Sequence, residues 1–254
     1  MPDPARTERP LDLLAVGAHP DDAEISCGGT LAAACAQGYA VGVLDLTRGE
    51  LGTNGTPEIR AAEAAEAARA LGIRGRWNAA LPDGGIDSHD AEQTRRVVGW
   101  LRRLRPAILL GHFAQDRHPD HVQASQLLDR ASYFAGLVRY KAEGETFRPS
   151  GRYHFASRIG FTPSFVVDIT ETWETKRRAI LAHRSQVHRE GSDARSTALN
   201  DPDFMNRIEA RARHYGGMIG VRYGEPFHFD GVIGLRALSE IFGAPRPAPS
   251  AFTG

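Results

Sequence analysis

LDLLAVGAHPDDAEISCGGTLAAACAQGYAVGVLDLT, residues 11–47, divides into strand, helix and strand. Residues 11–18 form a short apolar run ending near Gly17, which predicts a buried strand. Residues 26–37 are small and apolar and are closed by Gly38, which predicts a tightly packed helix. Residues 40–46 predict a second strand. The alternation continues outward: a glycine-rich loop over 47–57, an alanine-rich amphipathic helix over 58–71 stopped by Gly72, and a short strand over 74–78. A turn at Pro82-Asp83-Gly84-Gly85, a helix over 91–105, a strand over 107–110 and a helix from His118 to Leu128 follow. Such alternation means parallel βαβ units with right-handed crossovers. The expected fold is therefore α/β and Rossmann-like, a mostly parallel sheet flanked by helices.

Past residue 140 the rhythm weakens to a strand over 165–169 and helices over 171–188 and 203–215, a C-terminal helical and strand extension. One domain over 11–243 is expected between a polar, flexible arm at 1–10 and a disordered proline-bearing tail at 244–254. The 31 basic and 31 acidic residues cancel, so no charge excess argues for a nucleic-acid partner. No apolar run is long enough to span a bilayer and no signal-peptide core is present, so a soluble cytoplasmic protein is expected. Cys27 and Cys35 would stand about 12 Å apart along a helix, too far for a disulfide, and are read as small buried thiols in a reducing cytosol.

The chemistry gathers at strand ends, where sites form in such sheets. Gly17-Ala18-His19-Pro20-Asp21-Asp22-Ala23-Glu24 follows the first strand directly. With Gly17, Gly28 and Gly29 it invites a dinucleotide-binding reading, but three carboxylates in the same loop would repel phosphate. Acids crowded there need positive compensation, and a metal ion supplies it. His19 and Asp22, three residues apart around a turn, can converge on one borderline cation such as zinc, or on iron(II). Asp21 then points elsewhere, free for proton transfer. The bland alternative is a helix-capping aspartate beside a loop histidine. A second cluster, Gln115-Asp116-Arg117-His118-Pro119-Asp120-His121, follows the strand over 107–110. His118 and His121 share one helix face, and either can supply the third ligand of a catalytic site that keeps a water in the fourth position.

AHPDD (18–22) together with HPDH (118–121) resembles the LmbE-like (PIG-L) deacetylases, zinc hydrolases with a Rossmann-like fold, over nearly the whole chain. TRGELGTNGTPEIRAAE (47–63), LPDGGI (81–86) and RARHYGGMIGVRYGEPF (211–227) are similar to the bacillithiol-biosynthesis branch, which deacetylates N-acetylglucosaminyl malate. The resemblance implies one zinc held by His19, Asp22 and His121, Asp21 as general base and His118 as electrophilic partner. It further implies that Asp120 tunes a histidine from behind, that Arg60 and Asp83 hold sugar hydroxyls, and that the chain assembles as a trimer or hexamer. The bland readings are a helix ion pair of Arg60 with Glu63 and a plain turn residue for Asp83. Arg48 is the candidate for the aglycone carboxylates, with Glu50 beside it. His112, close after a strand, is a candidate to line the site, while His89, His154 and His183 are read as surface or packing residues. Tyr223, Glu225 and His228 are expected to complete a pocket or an oligomer contact. Two rival functions are an amidase for thiol conjugates and a non-enzymatic metal- or sugar-binding module. Asp21 argues against the module, because a binder has no use for an uncoordinated carboxylate beside its metal.

Overall fold

A computed structural model describes residues 10–157, 160–187 and 194–234. The strands and helices alternate as β1 (Leu13–Gly17), α1 (Asp22–Ala36), β2 (Val41–Thr47), α2 (Pro57–Leu71), β3 (Gly75–Leu81), α3 (Ala91–Leu104), β4 (Ile108–His112) and α4 (Pro119–Ala135). Then come β5 (Gly151–Phe155), β6 (Phe165–Asp168), a 3₁₀ turn (Thr170–Thr172), α5 (Trp173–Ala182), α6 (Phe204–Met218) and β7 (Gly224–His228). The sheet runs β3-β2-β1-β4-β5-β7-β6. Its first five strands pair in parallel, and β7 pairs antiparallel with both β5 and β6.

Alternate residues of β1 face opposite layers, as a pleated strand requires. Leu14 and Val16 join Leu44, Val97, Leu101 and Leu127 in a core under α3 and α4. Leu13 and Ala15 join Val43, Leu31, Ala67 and Ala179 in a second core under α1, α2 and α5. Both faces of the strand are covered, which is why its sequence reads as an unbroken apolar run. Ile169, Trp173, Phe204 and Ile208 form a third cluster that fastens the C-terminal extension. Among the described residues no helix is long and apolar enough to cross a membrane. Both cysteines lie in α1 as free thiols, Cys27 buried and Cys35 half-buried.

Several boundaries differ from expectation for local physical reasons. Helix α1 begins at Asp22, four residues before the expected start, because Asp22 and Glu24 in its first turn suit the positive end of the helix dipole. The helix expected over 171–188 ends at Ala182, where His183 leaves helical geometry, and residue 188 lies outside the described residues. Strands β5 and β7 were not anticipated. Pro226, Glu225 and His228 disguise β7, and its pairing comes from the neighbours it meets. The expected arm, apart from Pro10, and the expected tail also lie outside the described residues.

Candidate functional site

β1 and β4 are neighbours in the sheet, yet their crossovers lead away from each other, β1 through α1 to β2 and β4 through α4 to β5. The loops leaving their carboxyl ends therefore part and leave a crevice. A cavity of about 990 Å³ opens there, with His19, Asp21, Asp22, His118 and His121 among its lining residues.

Asp22 is the centre of the arrangement. Its Oδ2 accepts the His19 backbone N–H at 2.8 Å and lies 3.5 Å from His19 Nδ1. Its Oδ1 lies 3.3 Å from His121 Nε2, and Oδ2 lies 3.2 Å from His112 Nε2. The far nitrogens of His19 and His121 face further acids, while that of His112 meets Ser157 Oγ at 3.1 Å. His19 Nε2 is 3.0 Å from Asp83 Oδ1 and 3.2 Å from Asp120 Oδ2, and His121 Nδ1 is 3.3 Å from Asp116 Oδ1. Histidines that present one nitrogen to a common point and the other to a carboxylate are arranged as metal-binding imidazoles are. His118 caps α4: its Nδ1 accepts the Asp120 N–H at 3.2 Å, and its ring lies 4.7 Å from those of both His19 and His121. The geometry thus sets His121, rather than His118, against Asp22.

Asp21 is the N-cap of α1, yet its side chain caps nothing. Its φ of 115° lies in the left-handed region, a strain of about 1–3 kcal/mol for a residue with a side chain. Arg60 supports it, donating to Asp21 Oδ2 at 3.2 Å, to Pro20 O at 2.7 Å and to Gly49 O at 3.0 Å. Burial pushes the Asp21 carboxyl up to about 6, with Arg60 only partly opposing it.

Charge at this site is unbalanced. Asp21, Asp22, Asp83, Asp116 and Asp120 converge, and Arg60 is the arginine bonded among them. Where protons are the cations available, burial opposes their uptake, yet Asp120, Asp22 and Asp83 push His19 up to about 12. Burial likewise opposes His121, but Asp22 and Asp116 push it up to about 9. Against its burial, His121 and His112 hold Asp22 well below the usual carboxylate range. Donor atoms of His19, His118 and His121, and those of Asp22, His112 and His121, lie within 4.8 Å of one another. Two imidazoles that hold protons this strongly, around a shared carboxylate, fit a divalent cation in the protons' place.

Other expected contacts are corrected. Arg60 is no helix ion pair, since Glu63 accepts from Ser185 N and Ser185 Oγ, each at 2.7 Å. Arg60 borders the cavity, and its terminal nitrogens donate to the acceptors named above. Asp83 uses one oxygen on His19 and accepts the Leu51 N–H with the other at 2.8 Å. Arg48 borders a separate cavity of about 230 Å³ with Arg76, Trp77 and Asn78. Thr47, the last residue of β2, turns its hydroxyl to Ala18 O, and Arg48 follows just past the strand's end. Tyr223 stacks on Trp173, and Glu225 lies inside the fold against α1, so neither borders the cavity.

Two contributors were under-read. His112 accepts the Ala18 N–H at 3.0 Å and stacks on His121 at 4.0 Å, and burial together with His121 pushes it down to about 4. Asp116, quoted within the second motif without a role, backs His121. An acid five residues before a ligating histidine carries little sequence signal, because only the loop's path brings the two together. Of the remaining histidines, His154 donates to His112 O at 2.7 Å, His183 is buried near Glu24, and His89 is 79% exposed at its side chain.

Known proteins resemble this chain over most of its length. The family profile described as PIG-L, GlcNAc-PI de-N-acetylase, matches residues 14–132. A diacetylchitobiose deacetylase from Thermococcus kodakarensis is 30% identical over 233 residues, covering 85% of this chain and 82% of that protein. A 1D-myo-inositol 2-acetamido-2-deoxy-α-D-glucopyranoside deacetylase from Rhodococcus jostii is 25% identical, covering 69% of this chain and 81% of that one. The crystal structure of a conserved protein from Thermus thermophilus superposes with a TM-score of 0.81 at 42% identity, covering 89% of this chain and 98% of that chain.

Proposed function

This chain belongs to the PIG-L family of de-N-acetylases, and on that premise we propose that it hydrolyses the acetamide of a small N-acetylglucosamine-bearing substrate, using one zinc ion per chain. The observation that carries the reading is the pair His19 and His121 gathered on Asp22, with the carboxyl of Asp21, held by Arg60, beside them on the cavity wall. His19 through Nδ1, Asp22 and His121 through Nε2 would hold the ion, leaving Asp83, Asp120 and Asp116 to orient the imidazoles. A cation so held supplies Lewis acidity, acidifying a water and polarising the acetamide carbonyl.

The chain's own groups do the rest. Asp21 takes the proton of the attacking water, and a carboxyl pushed up to about 6 is matched to that exchange near neutral pH. Arg60 keeps it aimed. His118 accepts from Asp120 N with Nδ1, so its Nε2–H is free to donate to the developing oxyanion as a neutral imidazole. Burial and the facing His19 and His121 hold its pKa below the ordinary histidine value, which favours that neutral form over the imidazolium. Asp21 then returns its proton to the departing nitrogen, since an unprotonated amine leaves poorly.

For the aglycone we assign malate. The support is cationic: Arg117, exposed on the rim, and Arg207, across the cavity in α6, line the same space as the metal-ligand set. Arginine is suited to paired carboxylate recognition. The test is mass spectrometry of products from N-acetylglucosaminyl malate, diacetylchitobiose and the inositol glucosaminide, each with and without chelator. Acetate release that is chelator-sensitive and fastest with the malate glycoside supports the full reading. Faster turnover of either other substrate removes malate and leaves the deacetylase. Arg117→Ala should raise KM for the malate glycoside about tenfold while sparing free N-acetylglucosamine.

A further inference from the structure

One buried ion pair serves no part of the chemistry described so far. Lys176 of α5 and Glu225 of β7 are each 2% exposed at the side chain, with Nζ 2.5 Å from Oε1. Both also bind the backbone of α1. Glu225 accepts the Gly29 N–H at 2.9 Å, the Thr30 N–H at 2.7 Å and the Thr30 hydroxyl at 2.6 Å. Lys176 Nζ donates to Ile25 O at 2.9 Å, and Arg211 Nη2 donates to the same oxygen at 2.9 Å. In an undisturbed helix the Gly29 amide would belong to the Ile25 carbonyl. Here both groups also have charged partners from other elements, the Ile25 carbonyl one helical turn and the Gly29 amide two turns beyond Asp21 and Asp22. Contacts from α5, α6 and β7 thus hold α1 along its first two turns. Glycine permits the approach: a Cβ on Gly29 would stand 2.8 Å from the side chain of Ile169. Gly29, one of the glycines that suggested a nucleotide-binding turn, is therefore explained by its packing against Ile169.

We propose that the Lys176–Glu225 pair is a positioning device for the deacetylation, an inference that rests on the reading of Asp21 and Asp22 given above. By holding α1 at Ile25, Gly29 and Thr30, the pair fixes the direction of its first turn. That turn carries Asp22 against the histidines and keeps Asp21 in its left-handed conformation. Neither side chain borders the cavity, so the effect reaches the substrate only through the placement of α1. Strained conformations persist where the surroundings over-determine them, and this pair is one such constraint.

The test uses the zinc-loaded full-length protein. Glu225→Gln keeps the shape of the side chain but can no longer accept from two amides with two equivalent oxygens. Its kcat should fall between roughly ten- and a hundredfold, the scale of a small misplacement, with KM within about twofold. Zinc release to a colorimetric chelator should quicken about tenfold, the lower end of what losing an outer support costs a metal site. Lys176→Met/Glu225→Gln, which removes both charges of the pair together, should show the same two changes and serves as the reading if the single variant does not fold. Val97→Ala, a core change under α3, is the control for lost stability and should keep kcat and release rate at matched distance below its Tm. Clamp variants indistinguishable from Val97→Ala in both readouts overturn the proposal. Asp21→Asn, assayed beside them, isolates the premise: wild-type turnover there sinks the site reading itself, whereas an inactive Asp21→Asn beside unaffected clamp variants sinks only the positioning role.

Discussion

Helix α1 contributes acids to two buried clusters that resolve their charge in opposite ways. Behind the helix, Glu24 and Asp45 share Arg76, which is hydrogen-bonded to both carboxylates. Burial works against the Glu24 charge, but Arg76 and His183 outweigh it and hold the carboxyl at about 2. In front of the helix, Asp21 and Asp22 stand among further acids with Arg60 alone beside Asp21. There, burial leaves Asp21 at about 6, and two histidines are held as cations. A buried acid that has its arginine is a structural element. A group of acids short of positive charge, opening on a cavity, is where a cation and proton transfer belong.

The sharpest way to break this comparison is His121→Ala. It should abolish metal binding and turnover together, well beyond the roughly 10–100-fold typical of losing an outer partner. Metal analysis and kcat on one preparation decide it, and full zinc content in the variant would overturn the ligand set. Next is the cluster behind the helix. Arg76→Met leaves Glu24 and Asp45 buried without their cation and should cost about 3–5 kcal/mol in urea unfolding, with zinc content unchanged in the folded fraction. Glu24 falls from an ordinary 4.5 to about 2 on folding, so its contribution is present above pH 4.5 and is lost as pH drops toward 2. Burial raises Asp45 and partly offsets that loss. The variant should therefore lose less additional stability than the wild type across this acid range.

Asp21→Asn sharpens the contrast by separating activity from stability. Turnover should fall at least about a hundredfold with zinc retained, the usual scale for a positioned base. Stability of the metal-free protein should move the other way. A folded value of about 6, above the ordinary 3.8, means the carboxyl favours folding below pH 3.8 and loses that contribution as pH rises through 6. Asparagine stays neutral throughout, so at pH 8 in chelator the variant should unfold about 2–3 kcal/mol later, with the gain vanishing near pH 4. Denaturation at the two pH values measures it. The smallest effect is expected at Arg48, which faces the other cavity: Arg48→Ala should change kcat/KM by less than about twofold, under roughly 0.5 kcal/mol.

The pattern of residues 11–47, strand, helix, strand, was sufficient for the parallel α/β core, because apolar runs and glycine stops act locally. The two HPD motifs at strand ends likewise located the crevice, since loops leaving the carboxyl ends of such strands part there. His19, Asp21, Asp22, His118 and His121 were legible for that reason, and the structure brings all five to one cavity. The strands β5 and β7 were not legible: their residues are polar or proline-bearing and are strands because of what they pair with.

Tertiary structure alone decided the partners. Arg60 reads in sequence as a residue of an exposed helix turn, yet it is 4% exposed and bonded to Asp21, thirty-nine positions away. Asp83, in the turn after β3, and Asp120, in the first turn of α4, meet on His19 although α3 and β4 lie between them in the chain, and Glu225 reaches α1 across 196 residues. Arg48, just past the end of β2, borders the second cavity rather than the first, which nothing in its local sequence signals. By itself the sequence determined the elements and the ionisable groups at their ends, since both follow from short-range spacing. Which acid is neutralised by an arginine, and which is left for a cation, depends on long-range contacts and burial, and these exist only once the chain has closed.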